Sequence, residues 1–330
     1  MYTEKWCCSA DVVHTDTGLV GLGESGGDGE RQEVIDSYIG TSPWQHLGDN
    51  TSLGLGTAMY DLMGQDAGVP CWQLFGQQVR RWTPVGSWTV SSDPAHMAEA
   101  VQRYAAAGFT WMKYHLSPFF NVFDQMDAIQ AVAPKDFQIH LDFTFTPLEN
   151  HVGMCDQLAE RYPCVGCFED SFEQVSLDKY KEFKLRAKKP VVLHHAPMGF
   201  TTEVSMGVAD IYMMGHSPIG KAVQASGHFA ACHAPFMLQN VGGAITLSMV
   251  SHMMSAFPTA TFKCHTDCEV YKYDVVHEVR TTTTSVLVRG HAYVNVDAGW
   301  QPESRPPRAR RHRQQAGRQA GVQGSQTTHH

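Results

Sequence analysis

The chain has 330 residues, of which 43% are hydrophobic and 18% charged, and its formal net charge is −8. This composition is that of a globular protein, and the length can bury one large barrel or two ordinary domains. The acidic balance argues against general nucleic-acid binding, and no apolar run is long enough to span a membrane. The amino terminus lacks a secretory pattern, and nine scattered cysteines fit reduced thiols in a cytoplasm.

The first 80 residues predict a small α+β unit. Residues 12–24 contain two short strand-like runs around an Asp-Thr-Gly turn, which is the signal of a hairpin. Residues 53–68 carry apolar side chains at helical spacing, and the Val69-Pro70 dipeptide marks the end of that helix.

From Trp82 to about His265 the sequence predicts eight strands separated by segments that can form helices. The strand-like runs are residues 83–90, 109–115, 137–142, 165–170, 190–195, 209–214, 234–239 and 259–265. The clearest helices are residues 95–107, 121–133 and 148–161. Eight parallel strands are enough to close a barrel, whose active site then lies at the carboxyl ends of the strands.

Three consecutive runs, residues 109–115, 137–142 and 165–170, end in ionisable residues. Lys113 and His115 lie two positions apart, so strand alternation places both side chains on one face. Asp142 ends the next run, and Glu169 and Asp170 end the one after it. We therefore expect a charged cluster at one edge of the sheet.

Cysteine pairs and the carboxyl terminus suggest no further site. Cys164 and Cys167 do not share a face of their strand, so core packing is expected rather than zinc binding. Core packing is also expected for Cys264 and Cys268. Residues 285–296 again resemble strands. From Gln301 the chain is rich in Pro, Arg, Gln and Gly, a composition that cannot bury enough surface to order itself.

Several motifs together resemble one known family. Residues 13–24, 58–64 and 69–76, followed by Lys113-x-His115, Leu141-Asp142 and Phe168-Glu169-Asp170, resemble the mandelate racemase and muconate lactonizing enzyme branch of the enolase superfamily. The resemblance covers about residues 12–300. It implies an α/β fold, a (β/α)7β TIM-like barrel with an N-terminal α+β capping domain that is shortened here.

The resemblance also gives the domain bounds. We expect a partial capping domain in residues 1–80 and the barrel in residues 81–270. Residues 271–300 would return to the capping domain, and residues 301–330 would form a disordered basic tail.

Members of this family bind Mg²⁺ through acidic residues at the ends of the third, fourth and fifth barrel strands. By position, Asp142 and Glu169 correspond to the first two ligands. His195 takes the place of the third, with His194 as the alternative. Asp170 is an additional site candidate, which could support the ligands or simply be an acid at the start of a helix. An Asp, Glu and His set suits Mn²⁺, Fe²⁺ or Zn²⁺ better than Mg²⁺.

The resemblance assigns catalytic roles on the second barrel strand. Lys113 and His115 match the family's Lys-x-Lys, which makes His115 the base and Lys113 the cation beside the substrate carboxylate. Racemizing members carry an Asp on the sixth strand and a His on the seventh. Here these positions are Gly215 and Gln239, with His216 as a candidate substitute.

The missing second base disfavours a two-base racemase. The implied reaction is metal-dependent removal of the proton α to a carboxylate, then β-elimination of water from a sugar acid to a 2-keto-3-deoxy acid. Alternatives are a racemase, epimerase or cycloisomerase of the same superfamily, a Schiff-base enzyme that uses Lys113, or a non-catalytic or truncated barrel. The expected partner is a small carboxylate, without nucleic acid or membrane, and analogy suggests a homo-oligomer.

Overall fold

The computed structural model describes residues 8–26, 29–143, 152–171, 177–194, 196, 198–215, 217–240, 243–267, 285–288 and 291–294. The predicted tail and two of the candidate site residues, His195 and His216, lie outside these ranges. None of the helices within them is long and apolar enough to cross a lipid bilayer.

An antiparallel hairpin packed on a buried helix forms the amino-terminal part. Its elements are β1 (Cys8–His14), β2 (Val20–Gly26), α1 (Gln32–Asp36) and α2 (Leu53–Ala67), with 3-10 turns at Pro43–His46 and Cys71–Leu74. The Ser52 hydroxyl accepts a hydrogen bond from the Leu55 N–H at the start of α2, and Gly68 ends the helix in the left-handed conformation. The predicted hairpin and helix are confirmed.

Eight parallel strands alternate with seven helices in the described part of the barrel. The strands are β3 (Trp82–Val90), β4 (Trp111–His115), β5 (Gln138–Asp142), β6 (Val165–Glu169), β7 (Val191–Leu193), β8 (Ile211–Met214), β9 (Phe236–Leu238) and β10 (Cys264–Asp267). The helices are α3 (Pro94–Ala106), α4 (Val122–Val132), α5 (Val152–Arg161), α6 (Leu177–Arg186), α7 (Phe200–Met206), α8 (Ile219–Ala231) and α9 (Ala244–Ala256). This order confirms the predicted (β/α)7β barrel.

The barrel closes between its last and first strands. Strands β3 to β9 pair in chain order, and β10 runs parallel to β3 with Cys264 opposite Val85. Between β9 and β10, the Phe236 N–H donates to the Thr259 carbonyl at 3.0 Å, and the Phe262 N–H donates to the Phe236 carbonyl at 3.2 Å. These bonds complete the ring. A compact apolar cluster fills its interior: Trp111, Cys167, Val192, Ile211, Met213 and Met237.

The cysteines within and just before β6 belong to the core. Cys164 and Cys167 are free thiols at 4% and 0% exposure. Burial raises the pKa of the Cys167 thiol well above its ordinary value. The prediction of core packing is confirmed for this pair.

A second hairpin lies against the start of β3. Strands β11 (Ser285–Val288) and β12 (His291–Val294) are antiparallel, and β12 runs antiparallel to β3 with Ala292 opposite Thr83. Most of residues 271–300 lies outside the described ranges, so the return of this segment to the capping domain stays a prediction.

The amino-terminal part is held at the ends of two barrel helices. Glu24 accepts hydrogen bonds from the Thr246 N–H at 3.0 Å and from its hydroxyl at 3.1 Å, in the first turn of α9. The Asp49 carbonyl accepts from the Gly220 N–H at 3.0 Å, in the first turn of α8. Arg80 donates to carbonyl oxygens just beyond α9 at 2.7 and 2.6 Å. Each contact matches the partial charge of the helix end that it meets.

Candidate active site

Ionisable side chains meet where four neighbouring strands end. Lys113 and His115 come from β4, Asp142 from β5 and Glu169 from β6, and His194 follows β7 directly. His115 is paired with Asp142 in the sheet, and Asp142 with Glu169. Because the strands are parallel and in register, their last residues lie at one level.

Lys113 lies between two carboxylates. Its Nζ is 2.8 Å from Asp142 Oδ2 and 2.7 Å from Glu169 Oε2, with the lysine side chain 2% exposed and both carboxylates 0%. Burial alone would lower the pKa of Lys113, but the two carboxylates raise it above its ordinary value. The lysine therefore stays charged and balances the cluster.

His115 and Lys113 share the same carboxylate oxygen. His115 Nε2 lies 3.0 Å from Asp142 Oδ2, and the Trp88 ring packs edge-on against the imidazole at 5.4 Å. Burial and Glu169 would raise the pKa of Asp142, but Lys113 and His115 hold it below its ordinary value. The prediction that Lys113 and His115 lie on one face is confirmed.

A buried histidine that the sequence analysis missed also contacts the cluster. His140 Nε2 lies 2.6 Å from Glu169 Oε2, and both side chains are 0% exposed. Burial would raise the pKa of Glu169, but Lys113 and His140 hold it well below its ordinary value. His140 precedes Asp142 by two positions on β5, so strand alternation was the signal that could have found it.

His194 contacts Glu169 from the other side. Its Nδ1 lies 3.0 Å from Glu169 Oε1, and its backbone N–H donates to Asp170 Oδ1 at 3.0 Å. Asp170 has a φ of 49°, which is uncommon for a residue other than glycine. Glu169, Asp170 and His194 are buried and each presents a ligand atom within 4.8 Å of the others. These three side chains could hold a metal ion.

The structure thus brings most of the predicted site residues together. Lys113, His115, Asp142 and Glu169 form one network, which Asp170 and His194 adjoin. The group that could hold a metal contains the predicted ligand Glu169, the alternative third ligand His194 and the additional candidate Asp170. The predicted ligand roles of Asp142 and His195 stay predictions.

Gln239 and Gly215 form the wall across the barrel. Strands β8 and β9 are four positions from β4 and β5 in the ring, so their ends face those of β4 and β5. A Cβ on Gly215 would overlap Gln239 Oε1 and lie 2.9 Å from His194 Nε2. The carboxamide of Gln239 therefore occupies the space that a side chain at position 215 would need, next to His194.

Comparison with solved structures decides the fold family. The chain superposes on a dipeptide epimerase from Enterococcus faecalis with a TM-score of 0.72 and 18% identity, over 90% of this chain and 94% of that one. A mandelate racemase/muconate lactonizing family protein from Azoarcus sp. gives a TM-score of 0.69 and 18% identity, over 87% and 88%. The chain has the mandelate racemase/muconate lactonizing enzyme fold.

The 3,6-anhydro-D-galactonate cycloisomerase of Zobellia galactanivorans shares this fold, with a TM-score of 0.70 and 14% identity over 89% of this chain and 95% of the other. No protein-family model matches the chain.

Comparison of sequences finds similarity to D-galactonate dehydratases over part of the chain. D-galactonate dehydratase from Verminephrobacter eiseniae is 27% identical over 155 residues, and that of Ralstonia nicotianae is 24% identical over 155 residues. The alignment spans 40% of this chain and 41% of each relative. The similar proteins are thus enzymes, and they include dehydratases, epimerases and cycloisomerases.

Proposed function

We propose that this protein is a metal-dependent enzyme that removes the proton α to a substrate carboxylate and eliminates water from a sugar acid. The observation that carries the proposal is the convergence of Lys113, His115, Asp142 and Glu169 at the carboxyl ends of β4, β5 and β6. The similarity to D-galactonate dehydratases supports the choice of a sugar acid.

The metal would be held around Glu169. Glu169, Asp170 and His194 form the group with suitable geometry, and Asp142 and His195 are the ligands that the family resemblance adds. Two carboxylates and an imidazole fit a divalent ion, with Mg²⁺ suggested by the resemblance and Mn²⁺, Fe²⁺ or Zn²⁺ by the imidazole. When bound, the ion supplies positive charge that stabilises the charge developing on the substrate carboxylate.

His115 is the base in this proposal. Its side chain is 16% exposed against 2% for Lys113, so His115 can meet a substrate while Lys113 lies beneath it. His115 takes the α-proton, and the electrons of that C–H bond move into the carboxylate to give an enediolate. As the carboxylate re-forms, the bond to the β-hydroxyl breaks, and His115 returns its proton to the departing oxygen. The products are water and an enol, which tautomerises to the 2-keto-3-deoxy acid.

Lys113 balances charge in this scheme. Its contacts with Asp142 and Glu169 support a role in holding the two carboxylates together. Contact between Lys113 and the substrate carboxylate, which the family resemblance implies, stays a prediction.

The second candidate function is an epimerase or cycloisomerase. The structural similarity to dipeptide epimerases over most of the chain favours it. Gly215 and Gln239 offer no proton-transferring group on the wall opposite His115, which favours elimination.

The test is incubation of the full chain with Mn²⁺ or Mg²⁺ in D₂O, against a panel of sugar acids that includes D-galactonate. We expect a 2-keto-3-deoxy acid from at least one acid, and none from the His115→Asn variant. A parallel panel of dipeptides such as L-Leu-L-Tyr reports on the alternative. Deuterium at the α-carbon of a dipeptide, without any keto acid, would favour an epimerase. If neither keto acid nor deuterium exchange is found with Mn²⁺ or with Mg²⁺, the result would favour a non-catalytic barrel.

Cellular location and assembly belong to the same proposal. Five cysteines whose side chains the structure describes are free thiols, which supports a reducing compartment such as the cytoplasm: Cys71, Cys155, Cys164, Cys167 and Cys232. A small-molecule carboxylate is the proposed partner, and light scattering would test the expected homo-oligomer.

A further inference from the structure

His140 lies inside the barrel, at the level of Lys113 and one layer below His115, Asp142 and Glu169. It belongs to β5, where it is paired with Lys113 on one side and with Cys167 on the other. Its side chain is 0% exposed, and its Nε2 is 2.6 Å from Glu169 Oε2. A buried imidazole at this distance from a carboxylate is a hydrogen-bond donor to it.

The two oxygens of Glu169 have different partners. Oε2 lies 2.7 Å from Lys113 Nζ and 2.6 Å from His140 Nε2. Oε1 lies 3.0 Å from His194 Nδ1, on the side of the group that could hold a metal. Because Lys113 and His140 both contact Oε2, the plane of the carboxylate is fixed and Oε1 faces His194.

Aromatic rings hold the His140 imidazole in place. The Trp111 ring meets it edge-on at 6.3 Å and 77°, and the Phe262 ring at 6.3 Å and 67°. Lys263 Nζ in turn lies 4.3 Å from the centre of the Trp111 ring. A ring enclosed in this way keeps its Nε2 in one direction, as a positioning group requires.

We propose that His140 is a positioning residue, which orients the Glu169 carboxylate so that Oε1 is available to a divalent cation. This inference rests on the proposed metal site for its consequence, but the contact between His140 and Glu169 can be tested without metal. Groups that orient metal-binding carboxylates typically change metal affinity by about 10–100-fold when they are removed.

The test compares two variants of the full chain by calorimetric titration with Mn²⁺. His140→Gln places an amide N–H near the position of Nε2, whereas His140→Met keeps a similar volume without a donor. We expect the Met variant to bind Mn²⁺ about 10–100-fold more weakly than the wild type, and the Gln variant to recover most of this loss. If His140→Met does not fold, His140→Asn replaces it, because its amide is too short to reach Glu169, and the same loss is expected.

His252 provides the matched control. It is also a fully buried histidine, at 1% exposure, but it contacts the Trp72 N–H at the boundary between the amino-terminal part and α9. His252→Met should lower stability and leave Mn²⁺ affinity unchanged. Equal Mn²⁺ affinity for the wild type and both His140 variants would overturn the positioning role.

A double-mutant cycle in metal-free buffer keeps the inference separate from the proposed function. His140→Gln and His140→Met are each made alone and together with Glu169→Gln. Urea unfolding is then measured for the wild type and for every single and double variant. We expect the effects of His140→Met and Glu169→Gln to be clearly non-additive. If the wild type binds no Mn²⁺ but this coupling is present, the proposed metal site fails and the His140 contact stands. Additive effects would overturn the inference whatever the metal result.

Discussion

Lys113 Nζ lies 2.8 Å from Asp142 Oδ2, and neither side chain is more than 2% exposed. Burying two charges costs free energy of solvation. The folded protein stays stable only when each buried charge keeps a partner of opposite charge. Because Glu169 approaches the same ammonium group at 2.7 Å, one lysine balances two carboxylates. The stability of the protein should therefore depend on the number of positive charges in this cluster.

Replacing Lys113 by Met should destabilise the protein. The change leaves Asp142 and Glu169 buried without their shared cation, and breaking a buried pair in this way typically costs about 3–5 kcal/mol. Urea unfolding would measure the loss, and Mn²⁺ should restore part of it by supplying positive charge. Lys221→Met, at an exposed lysine of α8, is the control and should have little effect. Unchanged stability of the Lys113 variant would contradict the charge-balancing role.

Gly215→Ala should disturb the wall opposite His115. The new Cβ would overlap Gln239 Oε1 and lie 2.9 Å from His194 Nε2, so one of these side chains must move. Overpacking of this kind typically costs about 1–3 kcal/mol, and we also expect weaker Mn²⁺ binding through His194.

Two further variants test the reason for that effect. Gly227→Ala, in α8 with open space where the new Cβ would lie, should instead stabilise the protein by about 0.5–1 kcal/mol. The double change Gly215→Ala with Gln239→Ala should recover most of the lost stability. A double variant as unstable as Gly215→Ala alone would rule out the carboxamide as the obstacle.

His252 should give the protein a stability that depends on pH. Burial lowers the pKa of His252 to about 4 from 6.5, and its Nδ1 accepts the Trp72 N–H, so it is neutral when folded. Below pH about 6.5 the unfolded chain binds a proton that the folded chain does not, so stability falls as the pH falls. The loss stops near pH 4, where both states are protonated, and amounts to about 3 kcal/mol.

The His252→Asn variant isolates this contribution. The Asn carbonyl can still accept the Trp72 N–H but does not titrate, so the difference in unfolding free energy from the wild type should shrink as the pH is lowered from about 6.5 to 4. Chemical denaturation at several pH values would measure it. Parallel pH profiles for the two proteins would contradict the prediction.

Glu24→Gln should loosen the contact between the amino-terminal hairpin and α9. The carboxylate accepts from the Thr246 N–H and hydroxyl, and its charge matches the positive end of the helix. We expect a loss of about 0.5–2 kcal/mol and faster hydrogen exchange at the first amides of α9. Glu33→Gln, at an exposed position of α1, should leave that exchange unchanged. Protection at α9 that is the same in both variants would show that the contact does not hold the hairpin.

The sequence predicted those parts of the site that depend only on strand alternation. Lys113 and His115 meet Asp142 because residues two apart share a face and parallel strands end together. His140 obeys the same rule, but it lies within an apolar run and was not distinguished from the core. His194 follows the last residue of β7, where alternation no longer fixes the direction of a side chain.

Other parts of the site depend on contacts between distant segments. The proximity of Gly215, Gln239 and His194 arises where β7, β8 and β9 end, and no local pattern specifies it. The docking of Glu24 on Thr246 likewise joins residues from opposite ends of the chain. The fold was predictable because each of its repeating units carries a local signal, including the caps of α2 and α3.

Two different strands pair with the backbone of β3 along one edge of that strand. On one side of β3, β10 covers Val85 to Trp88 and β12 covers Trp82 to Pro84. Without β12, that lower stretch would present unpaired backbone groups, which are a template for a strand from another molecule. Loss of the carboxyl-terminal hairpin would therefore appear first as self-association in concentrated solution, while the charged cluster at the far end of the strands stayed assembled.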